Sequence, residues 1–163
     1  MASSLGYCRA RSGYPSFPVM RTIRILVIED NRGDIELLRD ALESRGTPVE
    51  LFAVWTAGDA YSFLAKSPPF AQAPTPDLIL IDLNLPGADG RDILRSIKSQ
   101  RALKRVPVVV YSGANNPAEI DECLALGAAE YLVKPHGAFT FADLAAALMR
   151  LAGTTASRGT TGG

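Results

Sequence analysis

The feature that most constrains the fold is a fivefold alternation of short apolar segments with longer stretches of helical periodicity. The apolar segments are rich in Ile, Val and Leu and lack a strict polar alternation, which is typical of parallel strands covered on both faces. They comprise Ile23–Ile28, Val49–Trp55, Leu78–Ile81, Val106–Tyr111 and Ala129–Val133. The alternation therefore predicts one parallel sheet with helices on both of its faces.

Each predicted strand is followed by a predicted helix. Four helices have apolar stripes, and three of these stripes have start or stop signals beside them. The stripes are Ile35, Leu38 and Leu42 before Gly46; Ile93, Leu94 and Ile97; Ile120, Cys123 and Leu124 between Asn116-Pro117 and Gly127; and Phe141, Leu144, Leu148 and Leu151 between the capping pair Thr140 and Asp143 and the stop Gly153. The remaining helix, Ala57–Lys66, is closed by Pro68-Pro69. We predict an α/β fold with a doubly wound five-stranded parallel sheet, flavodoxin-like (βα)5, with strand order 2-1-3-4-5.

Polar side chains directly follow four of these predicted strands. Glu29 and Asp30 follow the first strand and Asp82 follows the third, while Ser112 and Lys134 follow the fourth and fifth. Doubly wound sheets bind ligands at the carboxyl ends of their strands, near the switch between the first and third strands. Each residue alone could be an exposed loop residue, or a helix cap in the case of Asp30. Their joint occurrence at one edge favours a functional site.

The residue types at this edge suit one kind of chemistry. Three carboxylates gathered at one point repel each other unless a cation is present, and Mg²⁺ prefers oxygen ligands. A carboxylate can also act as a nucleophile that accepts a phosphoryl group. A lysine ammonium and a hydroxyl can then neutralise the phosphoryl oxygens. The sequence thus supplies a nucleophile, a metal pocket, a cation and a hydroxyl donor.

Four motifs carry a family resemblance. They are ILVIEDN at 25–31, PDLILIDLNLPGADG at 76–90, PVVVYSG at 107–113 and GAAEYLVKP at 127–135. Over nearly all of residues 23–151 the chain resembles the receiver domains of two-component response regulators. The resemblance implies that Asp82 is phosphorylated to an aspartyl phosphate. It also implies a Mg²⁺ site in which Asp30 is the direct ligand, Glu29 acts through water, and the backbone carbonyl of Asn84 is a third protein ligand beside Asp82.

The same resemblance assigns roles to the other polar residues. Ser112 takes the place of the family's switch Thr or Ser, Lys134 that of its phosphate-binding lysine, and Tyr131 that of its switch aromatic. The Lys134-Pro135 bond is expected to be cis. Finer features resemble the stand-alone regulators that partner phytochrome-type histidine kinases in bacteria, although Tyr-Ser-Gly-Ala after the fourth strand departs from their pattern.

The function predicted from these features is that of a single-domain response regulator with a sensor histidine kinase as its partner. We expect the protein to be a phosphoacceptor and not an enzyme, except that it catalyses its own phosphoryl transfer and its autodephosphorylation. Output is expected through a homodimer formed by the fourth helix, fifth strand and fifth helix, with Ala145–Ala147 and Met149 as apolar residues of the interface. A monomer that docks on its kinase and passes the phosphoryl group onward is the alternative to the homodimer. A pseudo-receiver that binds proteins without phosphorylation is the alternative. A haloacid-dehalogenase-type phosphatase would need a carboxylate where Asn84 stands.

Length and composition set the remaining expectations. Residues 1–20 are predicted to be a disordered extension, residues 21–152 the receiver domain and residues 153–163 a flexible tail. Translation could begin at either Met1 or Met20. The 17 basic and 17 acidic residues balance, which gives no sign of a nucleic-acid partner. No apolar run is long enough for a membrane span. Cys8 and Cys123 cannot build a disulfide framework, and a cytoplasmic location is expected.

Overall fold

The computed structural model describes residues 21–134 and 140–156, with side chains up to residue 153. Its elements in chain order are β1 (Ile23–Ile28), α1 (Arg32–Glu43), β2 (Val49–Val54), α2 (Ala57–Leu64), β3 (Leu78–Ile81), β4 (Asn84–Leu85), β5 (Ala88–Asp89), α3 (Gly90–Ser99), β6 (Val108–Ser112), α4 (Pro117–Ala125), β7 (Glu130–Val133) and α5 (Phe141–Ala156).

The five longer strands form one parallel sheet in the order β2-β1-β3-β6-β7. Because β6 and β7 are the fourth and fifth of these strands, the predicted order 2-1-3-4-5 is confirmed. In the register, Ile28 lies opposite both Val54 and Ile81, so β1, β2 and β3 end level with one another. Residues that directly follow these strands are thereby collected at one edge of the sheet.

Alternate strand residues point to opposite faces and build two apolar clusters. On one face, Leu26, Ile28, Ile79 and Ile81 pack with residues of α2, α3 and α4. On the other face, Ile25, Val27, Leu78, Leu80, Val109 and Tyr111 pack with Ile35, Leu38 and Leu42 of α1 and with Leu144 and Leu148 of α5. Burial on both faces explains why the strands read as continuous apolar runs. Within the ranges that the structure describes, no helix is long and apolar enough to cross a membrane.

Several helix and strand boundaries in the structure differ from the predicted ones. The fourth long strand begins at Val108 rather than Val106 and includes Ser112, while the fifth begins at Glu130 rather than Ala129. The second helix ends at Leu64. Gly153 does not stop α5, which continues to Ala156, because a glycine costs only about 1 kcal/mol within a helix. The helix therefore extends past the predicted domain boundary at residue 152.

One apolar residue was placed wrongly by its pattern, one strand end was misplaced, and one short element was missed. Leu124 was predicted in the core stripe of α4 but is 45% exposed, since the helix presents Cys123 rather than Leu124 to the sheet. Trp55 was predicted to end the second strand. It lies outside β2, is 44% exposed, and has the guanidinium of Arg32 4.6 Å from its ring centre. The antiparallel pair β4–β5 was not predicted, because two-residue strands carry no periodicity.

Candidate functional site

The carboxyl edge of the sheet brings the predicted site residues together. Glu29 and Asp82 are the first residues after β1 and β3, Ser112 is the last residue of β6, and Lys134 is the first after β7. Glu29, Asp82 and Ser112 are the buried polar residues of the described chain, with exposures of 4%, 5% and 0%. Burying polar groups without partners is costly, so their partners define the site.

Three carboxylates form a cluster that can hold a metal ion. Oxygen atoms of Glu29, Asp30 and Asp82 all lie within 4.8 Å of one another. Glu29 and Asp82 are buried, whereas Asp30 is exposed and faces the solvent side of the cluster. Hard divalent cations such as Mg²⁺ are bound by one or two carboxylates together with waters, so this donor set fits such an ion.

Lys134 lies among the acidic groups and contacts more of them than the sequence indicated. Its Nζ donates to Glu29 Oε2 at 2.6 Å and to Asp82 Oδ2 at 2.8 Å. A third hydrogen bond, 3.2 Å long, goes to Asp34 Oδ2. Asp34 was not singled out from the sequence, because an acidic residue in the first turn of a helix ordinarily serves the helix dipole. All three ammonium hydrogens are thus directed at carboxylates.

Burial and ion pairing shift the pKa values of these groups. Burial raises the pKa of Glu29 above its ordinary value, although hydrogen bonds from Lys134 and from the Asn31 N–H oppose the rise. Burial by itself lowers the pKa of Lys134, but hydrogen bonds to Asp82 and Glu29 outweigh it and the pKa is raised. The lysine is therefore a fixed positive charge across the physiological range.

Asn84 connects the acceptor carboxylate to the serine. Its backbone N–H donates to Asp82 Oδ1 at 2.9 Å, and its side-chain Nδ2 donates to Ser112 Oγ at 3.3 Å. The sequence had suggested only a role for its backbone carbonyl. Gly90 makes this packing possible, because a Cβ there would lie 2.6 Å from the Asp82 carbonyl oxygen and 2.7 Å from the Leu83 Cα.

Tyr131 lies beside the serine and contacts α4. Its hydroxyl is 2.9 Å from the Ala114 carbonyl oxygen and 2.6 Å from Glu119 Oε1. The phenol has one proton, so only one of the two oxygens can accept it at a time. Ser112 Oγ accepts a 3.3 Å hydrogen bond from Ala114 N–H, which places the same loop residue between serine and tyrosine.

The helix cap beside the site is Asn31 rather than Asp30. The Asn31 side chain accepts hydrogen bonds from the backbone N–H groups of Gly33 and Asp34, which leaves Asp30 available to the acidic cluster. Cys123 is fully buried, as its position in the predicted apolar stripe of the fourth helix indicated. The predicted cis bond at Pro135, as well as Cys8 and both terminal segments outside 21–156, lie outside the described residues.

Comparisons with known proteins identify relatives of the chain. The family of response regulator receiver domains matches residues 25–148. Response regulator Rcp1 of Synechocystis sp. is 36% identical over 110 residues, which cover 68% of this chain and 75% of Rcp1. The chain also matches plant two-component response regulators, of whose length it spans about half.

Solved structures align over most of the chain. The phosphorylated cyanobacterial phytochrome response regulator RcpA aligns with a TM-score of 0.68 and 34% identity, covering 88% of this chain and 98% of RcpA. The Mn²⁺-bound form of Rcp1 aligns with a TM-score of 0.68 and 30% identity, covering 86% of this chain and 97% of Rcp1.

Proposed function

Because the chain belongs to the response regulator receiver domain family, as its motifs predicted, we propose that it accepts a phosphoryl group on Asp82 from a sensor histidine kinase. The environment of Asp82 supports this most directly. Its carboxylate is buried, with Lys134 Nζ 2.8 Å from one oxygen and Asn84 N 2.9 Å from the other. The carboxylate is therefore oriented at the edge where such sheets bind their ligands.

In the proposed reaction an oxygen of Asp82 attacks the phosphorus of a phosphohistidine. The new P–O bond forms as the P–N bond breaks, and the imidazole leaves with the electron pair and takes a proton from water. The Lys134 ammonium and the Ser112 hydroxyl donate to phosphoryl oxygens, whose charge must be neutralised in the transition state. Receiver domains of this family are generally phosphoacceptors rather than enzymes, and autodephosphorylation of Asp82 is part of the proposal.

We assign a Mg²⁺ site to the carboxylate cluster. Asp30 is the direct ligand together with Asp82, Glu29 acts through water, and the Asn84 carbonyl completes the protein ligands. The support is the gathering of three carboxylates within 4.8 Å, a donor set that hard divalent cations prefer. The ion neutralises phosphoryl oxygens when bound. The related protein Rcp1 has a Mn²⁺-bound form, which is consistent with a divalent site in this group.

The conformational signal is proposed to start at Ser112. Its Oγ accepts hydrogen bonds from Asn84 Nδ2 and Ala114 N–H, and both are long at 3.3 Å, so they can be given up at small cost when the hydroxyl moves to donate its proton to a phosphoryl oxygen. Movement of Ser112 toward Asp82 would shift the loop at Ala114 in the same direction, because the Ala114 N–H is hydrogen-bonded to Ser112 Oγ. The Tyr131 hydroxyl would then lose a partner and could reorient, which changes the surface around α4.

Output is proposed through a homodimer that uses α4, β7 and α5. Of the apolar residues expected at this interface, Ala145 is fully buried and Met149 packs against the core, whereas Ala146 and Ala147 are half-buried. Leu124 of α4 is exposed and supplies further apolar surface. The cognate kinase is proposed to be of the phytochrome type, by analogy with the phytochrome response regulator RcpA, and the location to be cytoplasmic. Sedimentation with and without beryllofluoride tests the dimer, and a monomer in both states would exclude it.

Phosphorylation of the intact protein by acetyl phosphate tests the function. We expect intact-mass spectrometry to show one added phosphoryl group in the presence of Mg²⁺ and none after chelation. Asp82→Asn should show no addition, while the matched control Asp92→Asn, at an exposed position of α3, should behave as the unmodified chain. Full labelling of Asp82→Asn would refute the acceptor assignment. No labelling of the unmodified chain, by acetyl phosphate or by kinases, would favour the pseudo-receiver.

A further inference from the structure

One partner of Lys134 lies outside the carboxylate cluster. The ammonium contacts Glu29 and Asp82, which belong to the proposed metal site, and also Asp34, whose Oδ2 is 3.2 Å away. Asp34 is not among the residues whose oxygens could share a cation with Glu29, Asp30 and Asp82. The role of this additional carboxylate is not explained by phosphoryl acceptance, because it adds negative charge next to an incoming anion.

Local structure fixes the position of Asp34. It lies in the first turn of α1, where its backbone N–H donates to the side chain of Asn31 at 3.3 Å. The Asn31 N–H in turn donates to Glu29 Oε1 at 2.9 Å. The backbone of Asp34 is therefore connected through Asn31 to the metal-site residue Glu29 by two hydrogen bonds.

A tyrosine completes the surroundings of the ammonium. Lys134 Nζ lies 5.3 Å from the ring centre of Tyr111, which is within the range of a cation–π contact. Tyr111 lines a small cavity together with Glu29 and Asp34. Its buried hydroxyl has no hydrogen-bond partner among the described residues. The Tyr111 ring and Asp34 together give the Lys134 ammonium contacts with residues that are not proposed metal ligands.

A divalent cation and Lys134 compete for the negative charge of the same carboxylates. Both are attracted to Glu29 and Asp82, and at these separations like charges repel strongly in a partly buried site. A metal ion can enter easily only if the lysine has another acceptor to hold it. Among the described residues, Asp34 is the one carboxylate in contact with Lys134 that the proposed metal does not use.

We infer that Asp34 is a positioning residue that anchors the ammonium of Lys134 and so keeps Glu29 and Asp82 open to Mg²⁺. The inference rests on the proposed function of the site. Without Asp34 the lysine would direct its attraction to Glu29 and Asp82 alone, and Mg²⁺ would have to displace it from both. Asp34 thus acts on the metal through the lysine and not by touching the ion or the phosphoryl group.

A double-mutant cycle on Mg²⁺ affinity tests this. The intact protein, Asp34→Asn, Lys134→Ala and the double variant are titrated with MgCl₂, and the dissociation constants are taken from amide chemical shifts. We expect Asp34→Asn to weaken Mg²⁺ binding at least about threefold in the presence of Lys134, and to have little effect in the Lys134→Ala background, since directly coupled residues are non-additive. Asp34→Glu should restore much of the affinity.

Controls separate this role from simpler ones. Asp40→Asn removes a charge from the same helix at an exposed position, and it should leave the affinity unchanged within about a factor of two because exposed charges are screened. Equal weakening by Asp34→Asn with and without Lys134 would show that Asp34 acts only as a through-space charge and would overturn the inference. No weakening in either background would overturn it too. Absence of Mg²⁺ binding by the unmodified chain would overturn the metal proposal as well, so the two failures are distinguishable.

Discussion

Helices α3 and α4 pack on the same face of the sheet but are held by different forces. In α3, the side chains of Ile93, Leu94 and Ile97 are fully buried. In α4, Cys123 is the buried side chain, while Leu124 faces solvent. Each buried aliphatic side chain contributes about 1.5–3 kcal/mol, so burial stabilises the position of α3 more than that of α4.

Polar contacts to neighbouring elements compensate in part for the smaller apolar burial of α4. Glu122 pairs with Arg91 at 2.8 Å and with Arg95 at 2.9 Å, both of which belong to α3. Glu119 accepts from the Tyr131 hydroxyl on β7. Such partly exposed pairs are worth about 1 kcal/mol or less each and can be exchanged for water at small cost. Of the two helices, the one next to the proposed switch residues is therefore the one that moves at the smaller cost in free energy.

The largest effect should come from matched isoleucine truncations in the two helices. Ile97→Ala should lower the free energy of unfolding by about 2–5 kcal/mol, because it opens a cavity in a closed cluster. Ile120→Ala in α4 should cost less than half as much, since that side chain is only partly buried. Urea unfolding curves measure both. Equal losses would show that α4 is as tightly packed as α3.

A smaller effect should appear in alkaline solution. Burial raises the pKa of Tyr111 to about 12, and burial with the hydrogen bond to Glu119 raises that of Tyr131 to about 12, against about 10 when unfolded. Raised pKa values mean that their contribution to stability is complete below about pH 10 and is lost as the pH rises toward 12.

The order in which these two tyrosines ionise sharpens the comparison. Tyrosinate absorbance of Tyr111→Phe and Tyr131→Phe should show that each removes one late-titrating group. If α4 opens readily, Tyr131 ionises at a lower pH than Tyr111 while circular dichroism still reports a folded chain. Ionisation of both near pH 10 in the folded protein would refute the burial argument.

Removing the charge of Glu122 should loosen α4 selectively. Glu122→Gln weakens contacts to Arg91 and Arg95, and we expect a loss of about 1 kcal/mol or less in the free energy of unfolding. Hydrogen exchange should quicken in α4 and stay unchanged in α3. Asp121→Asn, which removes the neighbouring exposed charge, is the matched control. Unchanged exchange in α4 would show that the ion pairs do not hold it.

The sequence predicted the fold well because burial on both faces leaves continuous apolar runs in the central strands β3 and β6 and in most of β1, while the edge strands β2 and β7 are only partly buried. The same runs predicted the edge at which Glu29, Asp82 and Lys134 meet. Where burial is one-sided or partial, the pattern was ambiguous, and Leu124 was therefore placed in the core although the helix turns it to solvent. Asp34 was missed because only the three-dimensional path of Lys134 brings it into contact. The β4–β5 hairpin was too short to show any period.

The smallest effect on stability should come from Leu124, and it tests what the exposed face of α4 is for. Leu124→Ser removes apolar surface that is already in contact with solvent, so the free energy of unfolding should change by no more than about 0.5 kcal/mol. If α4 forms part of a homodimer interface, the same change should weaken self-association in beryllofluoride, because exposed apolar side chains anchor such interfaces. Leu37→Ser on α1 is the matched control, since that leucine is 52% exposed on a different face. Sedimentation equilibrium of both variants decides the matter: weakening by Leu124→Ser alone supports the α4 interface, whereas equal behaviour of the two variants would exclude Leu124 from it. If Leu124→Ser alone weakens self-association, the exposed Leu124 of α4 serves contact with a partner subunit and not packing in the core.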